Sequence, residues 1–220
     1  MSDFVFRIAF IVIFTSLTIV RVTYKRRAGA LGEGIFPKSE GCLLNCIRGV
    51  LGSPLFFCVF FFIAFPEALP YAYINLPKPA RLVGAAGGLC GVFIIALSHN
   101  ALGKNFSSTV IIKKNHNLVT TGPYRTVRHP MYLGYLILFI SVFLLSENWV
   151  IGVSGSGIIL SLMTLRLRKE EKELINRFGI QYITYMRKTG KFFPWRFLPG
   201  KYFPSRVPKQ FNTVREREGK

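Results

Sequence analysis

Residues 116–134 read HNLVTTGPYRTVRHPMYLG. The stretch is polar, rich in rings and positive charge, and runs without a break into an apolar segment. A Gly122-Pro123 turn precedes Tyr124, Arg125, Arg128, His129, Pro130 and Tyr132. Pro130 biases His129 toward an extended backbone and itself suits the first turn of a helix. His129 is therefore expected at the mouth of a membrane helix. Free backbone N–H groups and the positive end of the helix dipole collect there and favour a carboxylate or phosphate. An ordinary membrane-interface loop is also basic and aromatic, so a functional reading needs support from the rest of the chain.

Working outward, half of the 220 residues are hydrophobic, yet the formal charge is +19. A soluble nucleic-acid binder would explain the charge but not the long apolar runs. Those runs are 4–20, 49–65, 82–98, 131–145 and 149–165, and together with the charge they imply an all-α integral membrane protein with about five spans. Each run is slightly short of the roughly 20 residues a span needs, and flanking Tyr, Trp and Arg can extend it. Gly84, Gly87, Gly88 and Gly91 in the third run make two small-xxx-small pairs, a packing signature. No strand precedes them, which argues against a nucleotide-binding glycine loop. Only Ser146, Glu147 and Asn148 separate the last two runs, so these are expected to form a tight antiparallel hairpin. The four cysteines suggest neither a disulfide framework nor a zinc site.

The basic residues set an expected orientation. Arg21, Lys25, Arg26 and Arg27 follow the first run instead of preceding it, which suits a retained anchor and not a signal peptide. Loop 21–48 carries six Lys and Arg, loop 99–130 five and residues 166–220 fifteen, placing 26 of 29 on one side. That side is the cytoplasm by the positive-inside tendency, with the N-terminus outside, whether the membrane is a bacterial inner membrane or the endoplasmic reticulum. An Asn105-Phe106-Ser107 sequon then falls on the cytoplasmic side, where it is not glycosylated.

A second segment, RLRKEEKELINRFGIQYITY at 166–185, leaves the fifth run. It reads as a helix stopped by Gly179, with Arg166, Glu170, Leu174 and Phe178 on one face. A self-paired, solvated helix would look similar, but Arg166 emerges directly from an apolar span, where an ionisable group usually has a purpose. The tight hairpin should bring this segment beside 116–134. The pooled side chains are His116, Tyr124, Arg125, Arg128, His129, Tyr132, Arg166, Glu170 and Glu171. They contain rings, cations and carboxylates but no catalytic triad, metal cluster or cysteine nucleophile, so hydrolysis is poorly supported.

The two segments, in this order and followed by Lys191-Phe192-Phe193-Pro194, resemble isoprenylcysteine carboxyl methyltransferase; the related phospholipid methyltransferases share much of the pattern. The resemblance covers roughly residues 99–195, as a catalytic region behind three membrane helices in 1–98 and ahead of a basic tail, 196–220. It implies a membrane enzyme that uses S-adenosylmethionine without a Rossmann domain and releases S-adenosylhomocysteine. By the same resemblance His116, Asn117, Leu118, Val119, Tyr124, His129, Pro130, Met131 and Tyr132 contact the donor. Glu170 binds it as well, Arg166 holds the acceptor, and Arg166 and Glu170 form the catalytic pair. A family position near Ile111 to Lys113 has no clear match.

The expected acceptor is an isoprenylcysteine-type or other lipid-tailed carboxylate, arriving from the lipid bilayer. N-methylation of an ethanolamine phospholipid is the alternative, with Glu171 or His129 as the base an amine requires. A sterol reductase would need a longer chain, and a non-enzymatic basic scaffold would bind no donor. No nucleic acid or metal is expected as a partner. The tail, punctuated by Pro beyond Pro194, suits adhesion to anionic head groups.

Overall fold

The computed structural model describes residues 3–29, 41–106 and 117–194. Within them the chain is helical: α1 Asp3–Arg27, α2 Cys42–Ala64, α3 Lys78–Leu102, α4 Pro130–Ser146, α5 Trp149–Ser161, α6 Leu167–Phe178 and α7 Ile180–Lys188. Short 3-10 turns punctuate the connections. α1 and α3 outrun their apolar runs at both ends, because the Lys and Arg that flank a run are themselves good helix formers. Thus α1 continues through Lys25, Arg26 and Arg27. Pro54, near the start of the second apolar run, lies well inside α2, a position tolerated when neighbouring helices complete the backbone pairing.

α1, α2 and α3 are each long and apolar enough to cross a bilayer, as is the helix from Trp149 to Phe178; α4 is a shorter apolar helix of 17 residues, about 25 Å long. A π-helical turn, Leu162–Arg166, joins α5 to α6, so the last span does not end where its apolar residues do. It runs 30 residues, about 45 Å, against a hydrocarbon thickness of about 30 Å. α6, which is strongly charged, accordingly stands outside the hydrocarbon. Gly179, at φ 52°, stops α6, yet helix resumes at once in α7, a helix the sequence pattern did not separate from the segment before the glycine.

α3 and α4 form the centre. A Cβ built on Gly84 would lie 2.6 Å from the backbone of Ser141 and Leu145, and one on Gly91 2.9 Å from Gly134 O. The glycine stripe therefore acts as packing, as its spacing implies. α1 lays Phe6, Phe10, Ile13 and Leu17 on this pair, and they join Val92, Ile95, Leu138, Val142 and Leu145 in a core shared with α2. The 146–148 turn is tight: Glu147 is left-handed at φ 58°, and Asn148 Oδ1 accepts from Ile151 N at 3.1 Å to cap α5.

At that end of the bundle Arg81 is buried, 2.6 Å from Asp3 and 3.0 Å from Glu147, with its guanidinium 4.0 Å over the Phe6 ring. The hairpin carries the start of α4 and the end of the last span to the opposite end.

Candidate active site

Gly122 takes φ 59°, a conformation suited to glycine, and starts the turn that buries Tyr124. The chain then passes through Thr126 and Val127 and enters α4 at Pro130. His129 sits outside the helical region at φ −128°, ψ 59°, and Pro130 occupies the first turn, as expected. The backbone N–H groups at this mouth are less available than the sequence suggested. Val127 pairs in parallel with Gly190, Arg128 N donates to Gly190 O at 2.8 Å, and His129 N donates to Lys191 O at 3.2 Å. A C-terminal strap, 189–193, thus covers the entrance, and Phe192 lies against the His129 ring at 6.2 Å. Proline contributes no N–H.

Two adjacent carboxylates reach this mouth from α6, and they do different things. Glu170 Oε2 accepts from the Tyr132 hydroxyl at 3.0 Å and lies 4.0 Å from Arg166 Nε. Glu171 Oε1 accepts from His129 Nε2 at 3.1 Å and from Arg128 Nε at 3.3 Å, and its Oε2 lies 3.2 Å from Lys191 Nζ. Burial alone would push the Glu171 carboxyl up. The hydrogen bond and charge of His129, with Lys191 and Arg128, outweigh it and hold the group at about 2. Arg128 is occupied further: its Nη1 donates to the carbonyls of Met186 and Thr189. Glu171 and Arg128 together tie α4, α6 and the strap into one unit. α7 adds a second tie through Tyr185, whose hydroxyl donates to Tyr124 O at 2.6 Å; burial raises that phenol to about 12.

The structure therefore brings together Tyr132, His129, Arg166, Glu170 and Glu171, as the short hairpin requires. Tyr124 lies buried beneath them, and Pro130 and Met131 form the first turn of α4. Asn117 is exposed, its N–H donating to Asn105 Oδ1 at 3.1 Å, while Leu118 and Val119 are half-buried in the approach to the turn. His116, Ile111 to Lys113, Ser107 of the sequon and the basic tail 196–220 lie outside the described residues. Sequence reasoning missed the division of labour between Glu170 and Glu171, the π turn that orients Arg166, and the strap with Tyr182 and Tyr185. The aromatic spacing of Tyr182 and Tyr185 just after Gly179 was the one available signal. Among the described residues no group of three or more His, Cys, Asp or Glu could hold a metal.

Comparison with known proteins gives one consistent result. The family model for isoprenylcysteine carboxyl methyltransferase matches residues 88–176. The protein-S-isoprenylcysteine O-methyltransferase of Saccharomyces cerevisiae is 31% identical over 162 residues, 71% of this chain and 68% of that one. The protein of the same name from Schizosaccharomyces pombe is 32% identical over 149 residues, 66% of this chain and 61% of its own. The solved structure of a eukaryotic intramembrane Ras methyltransferase, isoprenylcysteine carboxyl methyltransferase, shares the fold with a TM-score of 0.53. It is 20% identical in sequence, over 88% of this chain and 70% of that one. This multi-pass integral membrane protein belongs to the isoprenylcysteine carboxyl methyltransferase family.

Proposed function

We propose that the chain methylates the carboxylate of a lipid-tailed, isoprenylcysteine-type acceptor, using S-adenosylmethionine taken up on the side of the membrane that carries its basic residues. When bound, S-adenosylmethionine supplies a methyl group on a positively charged sulfur, which an acceptor oxygen takes without any proton transfer. The described residues fit such a group. Glu170 offers a partly open carboxylate to a cationic or hydroxyl-bearing ligand, and the His129 and Tyr132 rings, 6.1 Å apart, offer faces to a cation or a flat base. Arg166, permanently charged and forked, rises from the end of the apolar span, where it can grip an acceptor carboxylate in two places and aim one oxygen. Tyr132 orients Glu170, while Glu171 fixes His129 and Arg128 in place.

One observation carries the choice of acceptor: Glu171 is fully engaged. An amine has to lose a proton before it can be methylated and so requires a base. Glu171 is held at about 2 by the His129 hydrogen bond and its charged neighbours, His129 Nε2 is itself engaged by Glu171, and Glu170 already accepts from Tyr132 beside Arg166. A carboxylate acceptor is ionised at neutral pH and needs no base. The arrangement favours O-methylation over N-methylation of an ethanolamine lipid, in agreement with the names of the yeast relatives. Purified protein in detergent, given labelled S-adenosylmethionine with a farnesylated cysteine analogue or with phosphatidylethanolamine, tests this. A base-labile methyl ester on the first is the expected product; label on the second alone, or on neither, overturns the reading.

A further inference from the structure

The start of α2 carries two thiols that the methyl-transfer site does not use. Cys42 and Cys46 stand one helical turn apart, both exposed, with their sulfur atoms in contact at 3.7 Å. Cβ atoms at this helical spacing are about 5–6 Å apart, against about 3.5–4.5 Å in a disulfide. The helix therefore presents the two sulfurs side by side without joining them. Nor do they make a metal centre. A structural zinc takes four ligands, and no group of three or more His, Cys, Asp or Glu forms among the described residues.

Their place in the bundle sets them apart from the other two cysteines. Tyr73 pairs with Asn148, and Ile74 N donates to Glu147 O at 2.8 Å, so the chain leaving α2 sits at the hairpin end. The start of α2 thus stands at the opposite end, the one that holds His129 and Glu171. With 23 residues α2 is about 35 Å long, against about 30 Å of hydrocarbon, so its first turns lie at the head-group level. Below the thiols runs a lipid-facing stripe: Val50, Phe57 and Phe60, all exposed, follow Cys46 at three- and four-residue steps. Ser53, within that stripe, turns its hydroxyl back to Gly49 O at 2.9 Å. The opposite face of α2, with Leu44, Cys58 and Phe62, is the buried one. Cys58 is therefore shielded, and Cys90, though exposed, lies midway along α3, about 18 Å from either end.

We propose that Cys42 and Cys46 are S-acylation sites, each able to carry a long-chain fatty acyl group whose tail lies in the bilayer along Val50, Phe57 and Phe60. Free thiols at the membrane boundary of an apolar helix are the setting in which this modification occurs. The thiol attacks the carbonyl carbon of an acyl-coenzyme A thioester. A new carbon–sulfur bond forms as the bond to coenzyme A breaks, and the thiol proton leaves with the coenzyme A sulfur; nothing is oxidised or reduced. Of the four cysteines, only these two combine access for a soluble thioester with a lipid-facing stripe for the tail.

The test uses the full chain expressed in yeast and kept in its membranes. N-ethylmaleimide caps free thiols, hydroxylamine then cleaves thioesters, and a maleimide bearing polyethylene glycol marks each released cysteine by a gel shift. Wild-type protein is expected to show a hydroxylamine-dependent shift, reduced in C42S and in C46S and at least about tenfold weaker in C42S/C46S. C90S should keep the wild-type pattern. C42A/C46A repeats the test with the better helix former, so that the loss is read at an unchanged melting temperature. No hydroxylamine-dependent shift in the wild type, a shift that survives in both double variants, or one lost in C90S would overturn the inference. A shift released by a phosphine reductant without hydroxylamine would also overturn it, because the pair would then be a disulfide. The readout involves no S-adenosylmethionine, so it stands or falls apart from the methyltransferase reading.

Discussion

Glu170 and Glu171 are neighbours in sequence and have the same chemistry, and only their partners separate them. Glu170→Gln removes the negative charge beside Tyr132 and Arg166 and is expected to weaken S-adenosylhomocysteine binding at least tenfold in calorimetric titration. Arg166→Ala should leave that binding within about twofold and abolish turnover of a farnesylated cysteine analogue. Equal activity in the two variants would remove the assigned roles. Glu171 gives a different signature because its carboxyl is held at about 2 against an ordinary 4.5. A depressed pKa stabilises the fold fully above the unfolded value, and the effect is lost as pH falls through the folded one. The gap corresponds to roughly 3 kcal/mol. The melting-temperature difference between wild type and Glu171→Gln should therefore be constant from neutral pH to about 4.5 and narrow from there toward 2. A difference independent of pH would mean that Glu171 contributes packing and not charge. No residue pattern could have told the two glutamates apart, because adjacent helical positions point about 100° apart and only the partner helix decides which of them meets His129.

At the level of elements, two short connections decide most of the site. The 146–148 turn leaves α4 and the last span no choice but to run side by side, which is why the meeting of Tyr132 with Glu170 was legible from spacing alone. The glycine stripe of α3 was legible for a similar reason, since close helix approach and small residues imply each other. That reading can be checked by Gly84→Ala, whose added carbon would meet the backbone of α4 at 2.6 Å. It should destabilise the protein by about 1–3 kcal/mol in thermal unfolding. Gly49→Ala, with nothing within 4 Å of the new carbon, should be neutral or stabilising by helix propensity. The strap was not legible. Its parallel pairing of Val127 with Gly190 joins positions 63 residues apart, and neither has a local signal for a strand. The π turn at Leu162–Arg166 was hidden too, because an apolar run has the same composition whichever helix it adopts. Such turns recur at functional sites, and this one ends on Arg166 itself.

Over the whole molecule, the two ends of the bundle have separate tasks. One end is locked by Arg81 between Asp3 and Glu147, the other holds the carboxylates and rings. Arg81→Leu should lower stability by roughly 3 kcal/mol, as for a broken buried ion pair, measured by thermal unfolding. Donor affinity should stay unchanged, because the lock stands at the opposite end of the bundle. A fall in donor affinity as large as that in stability would mean the ends are coupled. The long helix from Trp149 to Phe178 has one more consequence. It is a rigid ruler anchored by its N-terminal turn, so the depth at which Arg166 meets the lipid is set by protein length and not by the membrane. Thickening or thinning the bilayer shifts the acceptor's head group along that ruler while the arginine stays put. Reconstituted activity should then peak at one lipid chain length and decline on either side, so that membrane thickness becomes a control on a reaction whose chemistry never touches it.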